Sequence, residues 1–261
     1  MLIVLKYGGN AMAAPGVSDP VLDEVAALSA RGESFVLVHG GGPQIDAELD
    51  AKRIDEVRVA GLRVTGAPTR DVVEYVLCGT VNKALVRALH ARHCPAIGLS
   101  GQDGGMLAGR RIGSVNGVDL GFVGDITGVE TKPLRAVLDA GYVAIIAPLA
   151  LDIGGAGALN VNADTAAGAI AGALHADAYI VLTNVAGVRR DRDDPDSVIP
   201  RLTLAHAERY LADGTFSDGM IPKIRAARDA VRGGARRAIV TAAGPGAIHA
   251  ALEGFGTEIV P

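Results

Sequence analysis

Residues 2–12 read LIVLKYGGNAM: an apolar run, Leu2 to Leu5, leads into Lys6 and Tyr7 and then the double glycine Gly8-Gly9. A short apolar run of this kind suits a strand buried on both faces of a parallel sheet. A lysine at its exit is either a stray surface charge or a cation directed at an anion that the glycine amides hold. The second such run, SFVLVHG at 34–40, has the same sequel, because Gly40, Gly41 and Gly42 end it. Bare amides at the carboxyl ends of parallel strands, beside helix N-termini, are where open α/β sheets bind anions. One glycine turn means little. Two successive ones and a lysine point to a site.

The same rhythm continues along the chain. Apolar runs recur at 96–100 (AIGLS), 142–148 (YVAIIAP), 178–183 (AYIVLT), 236–242 (RRAIVTA) and 256–260 (GTEIV). Helix-like stretches separate them, at 19–32, 69–93, 132–141, 163–177 and 219–234. Strand–helix alternation with glycines after several helices predicts right-handed βαβ crossovers around a mostly parallel sheet. Residues 104–126 break the pattern, and their short apolar pieces around Asn116-Gly117 predict an antiparallel hairpin excursion. The softest domain boundary falls at Leu174 to Asp177. It divides the chain into 1–175 and 176–261.

Composition narrows the class. In 261 residues there are 35 glycines, no tryptophan and 3% aromatics, so Val, Ile, Leu and Ala must build the core. A net charge of −4 with a pI near 5.9 argues against a nucleic-acid or membrane surface as the main partner. Cys78 and Cys94 do not make a disulfide framework; they read as small buried thiols in a reducing compartment. No signal peptide is visible and the run YVAIIAPLAL is too short to span a bilayer, which predicts a cytoplasmic protein.

Several chemistries are excluded by spacing. No Gly-Lys dipeptide exists, so there is no Walker A loop. GGGPQI misses the dinucleotide fingerprint at its third glycine. HGGG at 39–42 matches an esterase oxyanion motif, but GLSGQ puts Gln102 where a nucleophile elbow needs glycine. Zinc spacings are missing, and the charged stretch 189–197 lacks the glycine and glutamate of a calcium loop. Two further elements remain. In LNVNAD (159–164), Asn160, Asn162 and Asp164 approach and open a helix of small residues; one of them suffices as a cap, and three exceed that need. FSDGMIPKI (216–224) sets Lys223 early in another helix.

Taken in order, KYGGNAM, VHGGGPQI, GLRVT, VNK, GLSGQDGG, LNVNAD and DGMIPKI span nearly the whole chain and resemble the amino-acid kinase family, in its N-acetylglutamate branch. The resemblance implies a three-layer αβα sandwich with an N-terminal lobe for the acetylated amino acid and dimerisation, and a C-terminal lobe for ATP. It implies γ-phosphoryl transfer from ATP, with Mg²⁺, to the side-chain carboxylate of N-acetyl-L-glutamate in arginine biosynthesis. Carried over by position, Lys6 and Lys223 resemble the lysines that bracket the transferring phosphoryl group, and Asp164 the carboxylate that orients both. Gly8, Gly9 and Gly41 resemble amide donors to it. Gly41, Gly42, Arg63 and Asn160 resemble contacts to the amino acid, and Asn184, Gly187, Val188, Ser217, Asp218 and Lys223 contacts to the nucleotide.

This chain departs from the family at Asn184, where many relatives carry aspartate, and at Gly66, where an acidic residue is common. It opens on its first strand without the extra helix that links dimers of arginine-inhibited relatives, which predicts a homodimer that arginine does not regulate. The expected dimer seam is the helix from Val72 to Leu89. Two readings compete. One is a kinase for aminoadipate or glutamate attached to a small acidic carrier protein, which Arg110 and Arg111 would meet. The other is a non-catalytic amino-acid sensor, which loss of Lys6, Lys223 or Asp164 would mark; all three are present.

Overall fold

A computed structural model describes residues 1–8, 19–155, 157–191, 193–214, 216 and 219–261. The predicted contacts Gly9, Ser217 and Asp218 lie outside the described residues. The strands are β1 (Leu2–Tyr7), β2 (Ser34–His39), β3 (Arg58–Val59), β4 (Leu62–Arg63), β5 (Ala96–Ser100), β6 (Leu107–Arg111), β7 (Ser114–Val115) and β8 (Val118–Asp119). They continue as β9 (Val123–Val129), β10 (Val143–Ala147), β11 (Leu149–Asp152), β12 (Ala158–Val161), β13 (Ala178–Thr183), β14 (Arg201–Thr203), β15 (Ala238–Ala242) and β16 (Thr257–Val260). The α-helices are α1 (Pro20–Ser29), α2 (Gly42–Ala51), α3 (Ala67–Tyr75), α4 (Asn82–His90), α5 (Lys132–Asp139), α6 (Ala163–Leu174), α7 (Leu204–Ala212), α8 (Ile221–Arg232) and α9 (Ala247–Leu252).

The main sheet has the order β14-β16-β15-β13-β1-β2-β10-β5, parallel except where β15 and β16 pair antiparallel. All seven strands expected from sequence stand in it. β1 occupies the middle, bonded to β2 on one side and to β13 on the other, so one sheet crosses the boundary at 174–177. Buried strands alternate their side chains between two cores. Ile3, Leu5 and Tyr7 join one with Val72, Val76 and Leu85; Val4 and Val38 join the other with Ala166, Ile170 and Ala227. The result is the three-layer αβα sandwich.

The excursion at 104–126 proves larger than a hairpin. β7 and β8 do form a hairpin, with Asn116 (φ 52°) and Gly117 (φ 79°) both left-handed at its turn. β6 and β9, however, pair with each other and close with β11 and β12 into a four-stranded barrel. Closure needs two strands from beyond β10, which periodicity within 104–126 could not supply. The helical stretch at 69–93 is likewise interrupted, by a π-helical turn over Val76–Val81 between α3 and α4.

Candidate active site

Two lysines from distant parts of the chain meet on one carboxylate. Lys6 leaves β1 on the face opposite Tyr7, and its Nζ stands 3.2 Å from Asp164 Oδ1. Lys223, in the first turn of α8, donates from Nζ to Asp164 Oδ2 at 3.3 Å. Asp164 is 4% exposed and Lys6 8%, so water screens neither strongly. Burial lowers the Lys6 pKa; Asp164 opposes that shift and Lys223 adds to it.

The backbone of Asp164 is held from several sides. Asn162 caps α6, its Oδ1 accepting from the amides of Asp164 (2.8 Å) and Thr165 (3.2 Å). Tyr179 on β13 donates its hydroxyl to the Asp164 carbonyl at 3.0 Å, and burial raises its pKa so that it stays a donor. The small residues of α6 let α8 approach: a Cβ on Gly168 would come within 2.5 Å of the Ala226 carbonyl, and one on Gly172 within 3.0 Å of Gly233. That close packing carries Lys223 to Asp164.

The two glycine loops touch beside this cluster. A Cβ on Gly8 would stand 2.6 Å from the Gly40 nitrogen, whose N–H donates to the Tyr7 carbonyl at 3.0 Å. Gly41 precedes α2 without a side-chain cap, and a Cβ there would strike Leu77 of the π-turn at 2.6 Å. Gly42 opens the helix with space around it. Sequence reading placed these glycines but missed His39 next to them. His39 is fully buried, with Nδ1 2.8 Å from the Gly40 carbonyl and Nε2 3.2 Å from Asn82 Nδ2. Burial drives its pKa down to about 4.

A third group gathers at the barrel. Arg63 is buried against Asp46 and Glu56; its Nη1, 2.7 Å from Glu56 Oε1, lacks a well-directed hydrogen bond. Thr65 donates from Oγ1 to the Arg63 carbonyl (2.8 Å) and accepts from Asn160 Nδ2 (3.1 Å), joining the two residues expected to bind the amino acid. The GLRVT motif contained Thr65, but only the fold reveals this role. The guanidiniums of Arg70 and Arg111 lie 4.5 and 4.1 Å from the ring centre of Phe122.

The described residues expected to contact the nucleotide are brought together less closely. Asn184 is exposed just past β13, at the same sheet end as Lys6. Val188 is wholly buried, its N–H donating to Thr257 Oγ1 at 2.7 Å and its carbonyl accepting from Ile199 at 2.8 Å. Gly187 is there for space, since a Cβ would meet Thr257 and Val198 at 2.8 Å. Burial pushes the Cys78 thiol up to about 11 and raises that of Cys94, so neither offers a thiolate near neutrality. Among the described residues no His/Cys/Asp/Glu group could hold a metal ion by itself. Within the same residues no helix is long and apolar enough to cross a membrane.

Paired lysines on a buried aspartate, at the C-terminal end of a parallel sheet and beside two glycine turns, form a site suited to moving an anionic group. The family description "Amino acid kinase family" matches residues 1–242, and the chain belongs to that family. It is 45% identical over 259 residues to an acetylglutamate kinase of Methanopyrus kandleri, covering 98% of this chain and 99% of that one. To the acetylglutamate kinase of Gluconacetobacter diazotrophicus it is 44% identical over 247 residues, covering 91% and 77%. Among solved structures, a Streptococcus mutans protein superposes with a TM-score of 0.81 at 26% identity, covering 99% of this chain and 98% of that one.

Proposed function

We propose that this chain phosphorylates the side-chain carboxylate of N-acetyl-L-glutamate with ATP, giving an acyl phosphate for arginine biosynthesis. The observation that carries the reading is the Lys6–Asp164–Lys223 cluster beside the Gly8 and Gly40–Gly42 loops. The relatives named acetylglutamate kinase at 44–45% identity support the choice of acceptor.

A carboxylate is already a nucleophile, so the reaction needs no general base. The difficulty is to bring two anions together while negative charge spreads over the phosphoryl oxygens. Fixed ammonium groups and glycine amides meet that charge with little reorganisation. Asp164 keeps the two lysines on one target against their mutual repulsion. Bound with the nucleotide, magnesium would supply further charge neutralisation and would need at most one or two protein carboxylates.

In this reading residues 1–175 bind the amino acid, with Gly41, Gly42, Arg63 and Asn160 around it, and supply the dimer seam. Arg63 Nη1, ion-paired with Glu56 but without a well-directed hydrogen bond, is the donor for the substrate α-carboxylate. Residues 176–261 carry the nucleotide over the ends of β13 and β15, with Asn184, Ser217, Asp218 and Lys223 as contacts and Gly187 and Val188 shaping the turn beneath. β5 is one of the two outer strands of the sheet and Tyr75 on α3 is exposed, which supports a homodimer built on this flank. The protein works in the cytoplasm.

The test is ADP release with ATP and Mg²⁺ and, in turn, N-acetylglutamate, glutamate, aspartate and carrier-bound aminoadipate. Turnover with N-acetylglutamate alone supports the reading. Turnover confined to the carrier-bound substrate transfers the assignment to that branch, in which Arg110 and Arg111 at the barrel meet the acidic carrier.

A further inference from the structure

We infer that His39, held by Asn82, is a positioning residue that sets the direction of the Gly41 amide in the candidate active site. The inference rests on the kinase reading for its catalytic consequence, but its geometry stands without a substrate.

A trans peptide is planar, and its carbonyl and the following N–H point opposite ways. The Gly40 carbonyl accepts from His39 Nδ1 at 2.8 Å, so the ring fixes the plane of the Gly40–Gly41 peptide. The Gly41 N–H is thereby turned away from the His39 ring. Glycine neighbours leave such a plane little other restraint, since neither residue has a side chain to wedge it. Without the ring, a peptide between two glycines is free to flip and present a carbonyl where a donor is needed.

The ring must have one tautomer for this. A carbonyl can only accept, so Nδ1 must carry the proton. Asn82 Nδ2 can only donate, so Nε2 must be bare. The orientation of the Asn82 amide is itself determined by its neighbours. Its Nδ2 also reaches the carbonyls of Ile145 (3.0 Å) and Leu99 (3.2 Å), and its Oδ1 accepts from Lys83 Nζ at 3.1 Å. Room for that amide comes from a glycine inside strand β5: a Cβ on Gly98 would fall 1.9 Å from Asn82 Oδ1. Glycine weakens a strand interior, so its presence here is explained by the amide it accommodates. The chain Gly98–Asn82–His39–Gly40 thus runs from the sheet edge to the loop where the amide is aimed. It lies on the sheet face opposite Lys6, and so supports the site from behind.

Two experiments test this. In protein labelled with ¹⁵N-histidine, long-range proton–nitrogen spectra should show His39, assigned by its loss in His39→Asn, protonated at Nδ1 and bare at Nε2. A proton on Nε2 at neutral pH overturns the inference, whatever the substrate proves to be. In kinetics, His39→Leu should lower kcat by roughly 10²-fold, the scale of a lost oxyanion donor, while the KM for ATP changes little. His39→Asn, whose amide can donate from the Nδ1 position, should recover most of that loss, and the Gly41 amide resonance should shift in the leucine variant alone. Equal rates in the two variants overturn the inference. Should His39→Leu not fold, Asn82→Leu tests the same plane: mixed ring tautomers and slowed turnover support the inference, and an unchanged ring with unchanged kcat defeats it.

Discussion

At the scale of single residues, the site depends on charges placed where water cannot relieve them. Lys223 sits on a helix that would be ordinary without Asp164, whose buried carboxylate also carries Lys6. In the proposed site, removing its ammonium would leave the nucleotide's other contacts in place but withdraw one of the two cations on Asp164. Lys223→Ala should therefore lower kcat by about 10²- to 10³-fold, about 3 to 4 kcal/mol of barrier, with ATP affinity within an order of magnitude. Steady-state rates and nucleotide titration check it; unchanged turnover removes Lys223 from the site. His39 gives a pH prediction of defined sign. Its folded pKa of about 4 lies below the ordinary 6.5, so the unfolded chain takes up the proton first as pH falls. The ring's contribution is complete above pH 6.5 and is lost between 6.5 and 4, amounting to roughly 3 kcal/mol. Asn82 and the ammonium of Lys83 face the ring, and the lysine lowers its pKa further. Melting curves of His39→Asn should fall less steeply with pH across that window than those of the native chain.

At the scale of elements, helix α6 shows why local propensity is set aside. Gly168 lies inside the helix, where alanine would favour the helix by about 1 kcal/mol. The glycine is accounted for by the Ala226 carbonyl of α8, 2.5 Å from where a Cβ would be. Gly168→Ala should push α8 outward, separate Lys223 from Asp164 and cost about 1 to 3 kcal/mol through overpacking. Turnover should drop at least tenfold, more than the shift in melting temperature alone implies; a stabilised variant with full activity would show that the helices need not approach so closely. The π-turn between α3 and α4 acts in the same way, since its Leu77 packs where a Gly41 side chain would be.

At the scale of the whole molecule, the two halves share one sheet. β1 bonds to β2 of the first half and to β13 of the second, and Lys6 lies on this shared strand. Two halves joined through a central strand cannot lose one without exposing the other's core edge. Calorimetric unfolding should accordingly show one transition, shifted upward by ATP. Two separated transitions would show that residues 1–175 and 176–261 fold independently.

Much of this was legible in the chain because parallel strands buried on both faces write themselves as short apolar runs. All seven of those runs became strands of the main sheet. Lys6 and the glycine turns could be chosen by type and position, since a strand-exit lysine and glycine pairs have few other uses together; Asp164 and Lys223 took their roles from the family resemblance. The tertiary structure decided what no local pattern encodes. The barrel needed β11 and β12 from beyond β10, and the helix α2 after the glycine triplet has too polar a pattern to stand out. His39, Thr65 and Asn82 looked like common polar residues, because a hydrogen bond across 43 or 95 positions leaves no periodic trace in the sequence. Composition and spacing report what each segment buries. Only packing brings Lys6 and Lys223 to the same carboxylate.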